Sequence, residues 1–291
     1  MSTPPATGDG ADVGAPLRRP VLGRPSPASD APWKLRQRAA AADAAVRADG
    51  GDDGALSVRV ASLAGVRHRV GGTGPEDAYG WCWDAGRLSL AVADGVGSRP
   101  GAAAASATAV AAAVDALAAG ASPAAAVLAA SGAVAGGEGA TTLVAATVTP
   151  DGAVALARVG DSTAYVRRDG VLVELWVDPD DGASTATTAT AALPADDPRT
   201  ETAEVALAPG EALVVVTDGV GDAVRDGPTT VAPALAAALA SPPDPLELAR
   251  ITDFSRQGVG DDRTLLAVWV GPHARPEEAG TPTGPQGPPG V

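Results

Sequence analysis

The chain has 291 residues, 45% of them hydrophobic, and a formal net charge of -14. That length and apolar content provide for one sizeable core rather than two large domains. The negative charge argues against a nucleic-acid surface, which needs clustered Lys and Arg to neutralise phosphates, and the single cysteine, Cys82, excludes an internal disulfide framework and a cysteine-rich zinc site.

Met1–Gly10 has neither a charged n-region nor an apolar h-region, so no secretory signal is expected. With one cysteine, a reducing cytoplasm is the expected location. Residues 1–54 are rich in Pro, Gly, Ala and Asp, carry one helix-like piece over Trp33–Val46, and are expected to be mostly disordered. Leu56–Leu63 alternates as a strand, and Ala78–Trp83 with Arg87–Ala93 reads as a hairpin. Gly101–Ala119 and Ser122–Ala135 read as two Ala-rich helices joined at Gly120. Alanine is a strong helix former but a poor lipid solvent, and Asp115 interrupts the run, so no membrane span is expected.

A meander of strands follows over Ala140–Thr149, Ala153–Val159, Ala164–Arg168 and Val171–Val177, with Asp151–Gly152 and Asp169–Gly170 at two-residue turns. Asp178–Thr200 is polar and Pro-containing, and reads as a surface loop. Strands resume at Glu201–Leu207 and Ala212–Thr217, then helices near Val231–Ala240 and Pro245–Gln257, and a last strand over Thr264–Val270. Residues 271–291 form a Pro/Gly-rich tail expected to be disordered. Runs of antiparallel strands separated by helical pairs predict an α+β domain over 55–270, in which two antiparallel sheets make a central sandwich with helices outside.

Two of its segments repeat one another, Leu88–Gly97 and Ala212–Gly221, each a buried strand ending in Asp-Gly-Val-Gly. Asp-Gly is usually a hairpin turn, but no alternating strand follows Asp94–Gly95 or Asp218–Gly219, so each carboxylate belongs at a sheet rim, where sites are built. Of the further acids Glu76, Asp77, Asp161, Asp222, Asp261 and Asp262, most also flank a predicted strand: Asp77 opens one, Asp161 follows one, and Asp261 and Asp262 precede the last. Taken singly, each suits a turn or cap facing water. Brought together they repel, and an all-oxygen set of this kind suits Mg²⁺ or Mn²⁺.

In order, Glu76–Asp77–Ala78, Ala93–Gly97, Gly139–Thr142, Val159–Ser162, Thr217–Gly219 and Asp261–Thr264 resemble the motifs of the metal-dependent type 2C serine/threonine protein phosphatases, also called PPM-type. The likeness runs from about Leu56 to Val270. It implies a sandwich flanked by helices, with Mn²⁺ or Mg²⁺ in a cleft at one sheet edge and hydrolysis of phosphoserine or phosphothreonine by direct in-line attack of a two-metal-activated hydroxide. Asp94 would bridge both ions, with the Gly95 carbonyl on one; Asp218 and Asp261 would hold the first, and Asp77, with Glu76, the second. Asp161, with Asp218, matches the position of a third, weaker ion in bacterial members. Asp222 matches an acid just beyond the Asp-Gly turn, and Asp262, where the family usually has Asn, is an orienting group. The partners implied are phosphorylated proteins, substrates of a bacterial serine/threonine kinase.

Gly65–Val66–Arg67–His68 resembles a bacterial branch with Gly-x-x-His upstream of the acidic pair, which makes His68 the candidate for phosphate contact or for protonating the leaving oxygen. Arg67 or Arg69 could serve instead, since a strand end there would let only one face reach the cleft. Two other readings stand beside this one. One is a non-catalytic module that keeps the fold, and the other is a same-fold phosphatase of anti-sigma-factor antagonists. Cys82 and Arg87 are one residue too close for a cysteine phosphatase loop.

Overall fold

The structure is a computed structural model that describes residues 36–38, 45–84, 86–97, 100–176, 191–225, 231–254 and 260–271. In chain order the elements are β1 (Arg36–Arg38), β2 (Val46–Asp52), β3 (Leu56–Leu63), α1 (Val66–Gly71), β4 (Ala78–Asp84), β5 (Arg87–Ala93), α2 (Ala102–Ala118) and α3 (Pro123–Val134). They continue with β6 (Leu143–Val148), β7 (Ala153–Val159), β8 (Thr163–Arg168), β9 (Val171–Glu174), β10 (Glu201–Ala206) and β11 (Ala212–Val216). The last are α4 (Asp218–Arg225), α5 (Val231–Ala238), α6 (Pro245–Thr252) and β12 (Arg263–Val270).

The strands form two antiparallel sheets, β1-β4-β5-β6-β7-β10 and β2-β3-β12-β11-β8-β9. Successive side chains point to opposite faces, and three apolar layers follow. Leu88, Leu90 and Val92 of β5 meet Leu213 and Val215 of β11 and Leu266 and Val268 of β12 between the sheets. On the outer face of the first sheet, Ala91, Ala93 and Ala145 pack against Ala105, Ala109 and Ala113 of α2. On the outer face of the second, Val214, Val216 and Trp269 pack against Leu235 of α5 and Leu248 of α6. The central strands are therefore buried on both faces and read as mainly apolar runs. The α+β sandwich with flanking helices is the fold observed.

The hairpin turns form as the Asp-Gly pairs predict. Asp169 and Gly170 both have positive φ, 51° and 78°, the backbone of a type I′ turn. Gly152 likewise has φ 88°.

Two expectations are corrected. At the described positions of the helix-like piece over Trp33–Val46, Arg36–Arg38 is a strand and Val46 opens another. β2 pairs with β3 along its whole length, from Val46 opposite Leu63 to Asp52 opposite Ser57. Closing the open edge of β3 outweighs the helical preference of an Ala-rich segment, a preference worth only tenths of a kcal/mol per residue. The sheets thus draw on residues within the expected N-terminal disordered segment. Second, residues 66–71 are not a strand end but the short helix α1, begun by the Arg69 N–H to Gly65 carbonyl bond and stopped by Gly72 in the left-handed region. The predicted strand to Val177 ends at Glu174. Most of the 178–200 loop and all of the 272–291 tail lie outside the described residues. Among those residues, no helix is long and apolar enough to cross a membrane.

Candidate metal centre

One end of the sandwich is acidic because the strands end there on carboxylates. Asp94 follows β5, Asp161 sits between β7 and β8, Asp218 follows β11 as the first residue of α4, and Asp261 and Asp262 precede β12. Together with Arg67, His68, Glu76 and Gly95 they line a cleft of about 320 Å³. Asp94, Asp161 and Asp218 each offer a carboxylate oxygen within 4.8 Å of the others.

Backbone proximity makes this possible. A Cβ on Gly219 would lie 2.0 Å from the Asp262 carbonyl oxygen, and one on Gly95 would lie 2.9 Å from the carbonyl oxygens of Glu76 and Ala102. Neither glycine has positive φ. Each is needed because another backbone passes where a side chain would be.

Threonines fix the strand ends. Thr142 Oγ1 accepts from the Asp94 N–H at 3.0 Å, the Thr142 N–H donates to the Asp94 carbonyl at 2.8 Å, and Thr142 Oγ1 lies 2.7 Å from Ser162 Oγ. The hydroxyls of Thr217 and Thr264 donate to Asp77 Oδ2 at 2.9 and 2.7 Å. These threonines occur in the motifs of the sequence reading without a role there. The signal that could have found them is a hydroxyl residue at a strand end beside an otherwise unsupported carboxylate.

The electrostatics are unfavourable without a cation. Burial, then the charges of Asp77 and Asp218, push Asp94 well above the ordinary carboxylate range. Burial, then Asp261 and Asp161, push Asp218 up to about 6. Each of these two carboxyls therefore holds its proton more readily than a solvated one, because burial and the neighbouring acids disfavour its charge. Burial, then Asp262, raises Asp77 strongly; its side chain is 1% exposed, and Oδ1 has no hydrogen-bond partner among the described residues. Glu76 is raised too, by burial first. Clustered hard oxygen donors, mutually raised and with an orphaned buried acceptor, fit divalent Mg²⁺ or Mn²⁺.

At the rim, α1 buries none of its residues. Arg69 is tied down, its Nε donating to the Ala64 carbonyl at 2.6 Å and its guanidinium to Asp253 at 2.8 Å. Arg67 lines the cleft and His68 stands beside it. Burial opposes the charged form of His68, but the carboxylates around it, Asp262 first, outweigh that and raise its pKa. Asp222 is not brought to the cleft: its side chain is 57% exposed and pairs with Arg225 at 3.4 Å. Asp77 lies beneath the cleft rather than in its lining.

The chain matches the family model described as protein phosphatase 2C over residues 64–245, more than half of its length. No curated protein matches it. The catalytic domain of the serine/threonine protein phosphatase PstP, in complex with two manganese ions, aligns with TM-score 0.57 at 24% identity over 75% of this chain and 99% of that one. The PPM Ser-Thr phosphatase MsPP from Mycobacterium smegmatis, in complex with cacodylate, aligns with TM-score 0.56 at 22% identity over 75% of this chain and 99% of that one. PppA of Pseudomonas aeruginosa aligns with TM-score 0.55 at 23% identity over 76% and 100%. At these identities the likeness to solved structures shows the fold.

Proposed function

The chain belongs to the protein phosphatase 2C family, and from that premise we propose that it is a Mn²⁺- or Mg²⁺-dependent phosphoserine/phosphothreonine protein phosphatase that hydrolyses its substrates by direct in-line displacement. The observation that carries this reading is the convergence of Asp94, Asp161 and Asp218 on one point of the cleft. Asp94, Asp218 and Asp261 would hold a first ion, Asp94 with Glu76 and Asp77 a second, the Gly95 carbonyl one of these two, and Asp161 with Asp218 a weaker third. Bound there, such ions supply Lewis acidity, lowering the pKa of a coordinated water and neutralising charge on the phosphoryl oxygens.

The chain's own residues supply the rest. Arg67 meets the phosphoryl group at the rim, as a cation beside an acidic floor. His68 delivers a proton from Nε2 to the oxygen that leaves phosphorus. The substrates are phosphorylated proteins of the cytoplasm, made by a bacterial serine/threonine kinase.

The test is hydrolysis of p-nitrophenyl phosphate and of a phosphothreonine peptide by the purified protein with Mn²⁺, with Mg²⁺ and with EDTA, alongside Asp218→Asn. Turnover with either ion that disappears in EDTA and in the variant is expected. Absence of turnover with both ions from a folded protein would make the chain a non-catalytic member of its family.

A further inference from the structure

Asp262 is 3% exposed, yet among the described residues its ion pair is with His68 and not with a Lys or Arg. Three donors from one other segment, residues 65–76, converge there instead. Oδ1 accepts from the Gly65 N–H at 2.6 Å and lies 2.8 Å from His68 Nδ1; Oδ2 accepts from the Glu76 N–H at 2.6 Å. One side chain at the start of β12 therefore fastens both ends of the segment that carries α1.

Donors on both oxygens require a carboxylate. An asparagine would turn its NH₂ toward either the Glu76 N–H or the Gly65 N–H and His68 pair, leaving a buried donor facing a donor. An ionised carboxylate only accepts, so the hydrogen on the shared contact belongs to His68 Nδ1. The other ring nitrogen, Nε2, is then left on the side of Glu76, which lines the cleft with His68 and, at 3.9 Å, is its one charged neighbour within 4 Å among the described residues.

We propose that Asp262 is a positioning residue that acts through His68, holding the imidazole by Nδ1–H so that Nε2 is the nitrogen presented to the leaving oxygen. The inference rests on the phosphatase reading. In the step concerned, the P–O bond to the seryl or threonyl oxygen breaks and one to a water oxygen forms. The water loses one proton to solvent, the leaving oxygen takes one from Nε2, and solvent restores it. Fixing the tautomer and ring plane matters only where the leaving oxygen needs that proton. An alkoxide does, and p-nitrophenolate does not.

The chain has two histidines, His68 and His273, so ¹⁵N spectra of the imidazoles, assigned with His273→Gln, read the tautomer directly in the metal-free protein. At a pH where the ring is neutral, a protonated Nδ1 and a bare Nε2 are expected for His68; the reverse tautomer, or a rapidly exchanging mixture, overturns the proposal. Kinetics with Mn²⁺ give the second reading. Asp262→Asn should lower kcat on the phosphothreonine peptide about 10- to 100-fold, at or below the roughly 100- to 10,000-fold that a general acid contributes because His68 itself remains, and change kcat on p-nitrophenyl phosphate less than about threefold. The same substitution in a His68→Gln background should add nothing to that ratio. Equal losses on both substrates, or full additivity, would mean that Asp262 only braces the backbone. If Asp262→Asn does not fold, the wild-type spectrum still decides. A protein with the expected tautomer and no turnover on any substrate would refute the phosphatase reading and leave the Asp262–His68 contact standing.

Discussion

Four of the nine Asp-Gly pairs in this chain do two different jobs. At Asp151–Gly152 and Asp169–Gly170 the glycine supplies positive φ and the chain turns back on itself. At Asp94–Gly95 and Asp218–Gly219 it supplies the missing Cβ, and the backbones of neighbouring segments pass within 3 Å of where one would be. The carboxylates differ in the same sense. Asp151, fully exposed, is lowered by a hydrogen bond from the Thr149 hydroxyl, whereas Asp218 is raised to about 6 by burial and by its acidic neighbours. The same dipeptide is a turn where the sheet ends in water and a site where two sheets and a helix end against one another.

The widest separation between the two kinds of pair is expected in turnover. Asp94→Asn should reduce Mn²⁺-dependent hydrolysis by more than about 100-fold, beyond the 10- to 100-fold that loss of an outer partner of a metal ligand costs. Asp169→Asn should leave it unchanged, since Asn-Gly suits a type I′ turn as well as Asp-Gly does. Steady-state rates on p-nitrophenyl phosphate check both.

Stability should separate the glycines next. Gly219→Ala forces a methyl onto the Asp262 carbonyl and should cost about 2–3 kcal/mol, lowering Tm by roughly 4–10 °C. Gly170→Ala meets nothing within 4 Å and bears only the left-handed backbone, about 1 kcal/mol or roughly 2–4 °C. Calorimetry of the metal-free proteins measures both, and equal shifts would remove the distinction between turn and close approach.

The smallest effect is the pH dependence of the metal-free protein. Asp218 has a folded pKa raised from 3.8 to about 6, so between those values the folded state binds more protons than the unfolded one. Its destabilising charge is absent below 3.8 and fully present above about 6, and stability falls as pH rises through that window. Asp151, lowered in the folded state, has the opposite slope. Urea unfolding in EDTA should therefore show Asp218→Asn more stable than wild type at pH 7.5, with the advantage vanishing near pH 4 and reversed by Mn²⁺. An Asp218→Asn protein no more stable than wild type at pH 7.5 would mean that the rim carboxylates do not repel.

Much of this was legible without coordinates. The double-sided burial of β5, β6, β11 and β12 shows as mainly apolar runs, interrupted within β5 and β6 only by Ser89 and Thr147, and the hairpins show as turn chemistry. α1 was not legible. Its Val-Arg-His-Arg-Val alternates like a strand, and it is a helix because Gly72 caps one end and Asp262 holds Gly65, almost 200 residues away in sequence, at the other. β2 was hidden for a related reason. Its residues have no strand pattern of their own, and they pair because β3 offers a vacant edge.

By itself the sequence determined the layers and the identity of the acids, because strand periodicity, turn preference and the hardness of carboxylate oxygens are local properties of residues. Only the tertiary structure decided which acids meet. Asp94, Asp161 and Asp218 come together and Asp222 does not, although it lies one helical turn from Asp218, because α4 turns it toward Arg225 and solvent. Distance and burial between residues far apart in the chain set charge repulsion and hydrogen-bond sharing, and those quantities exist only once the two sheets have packed.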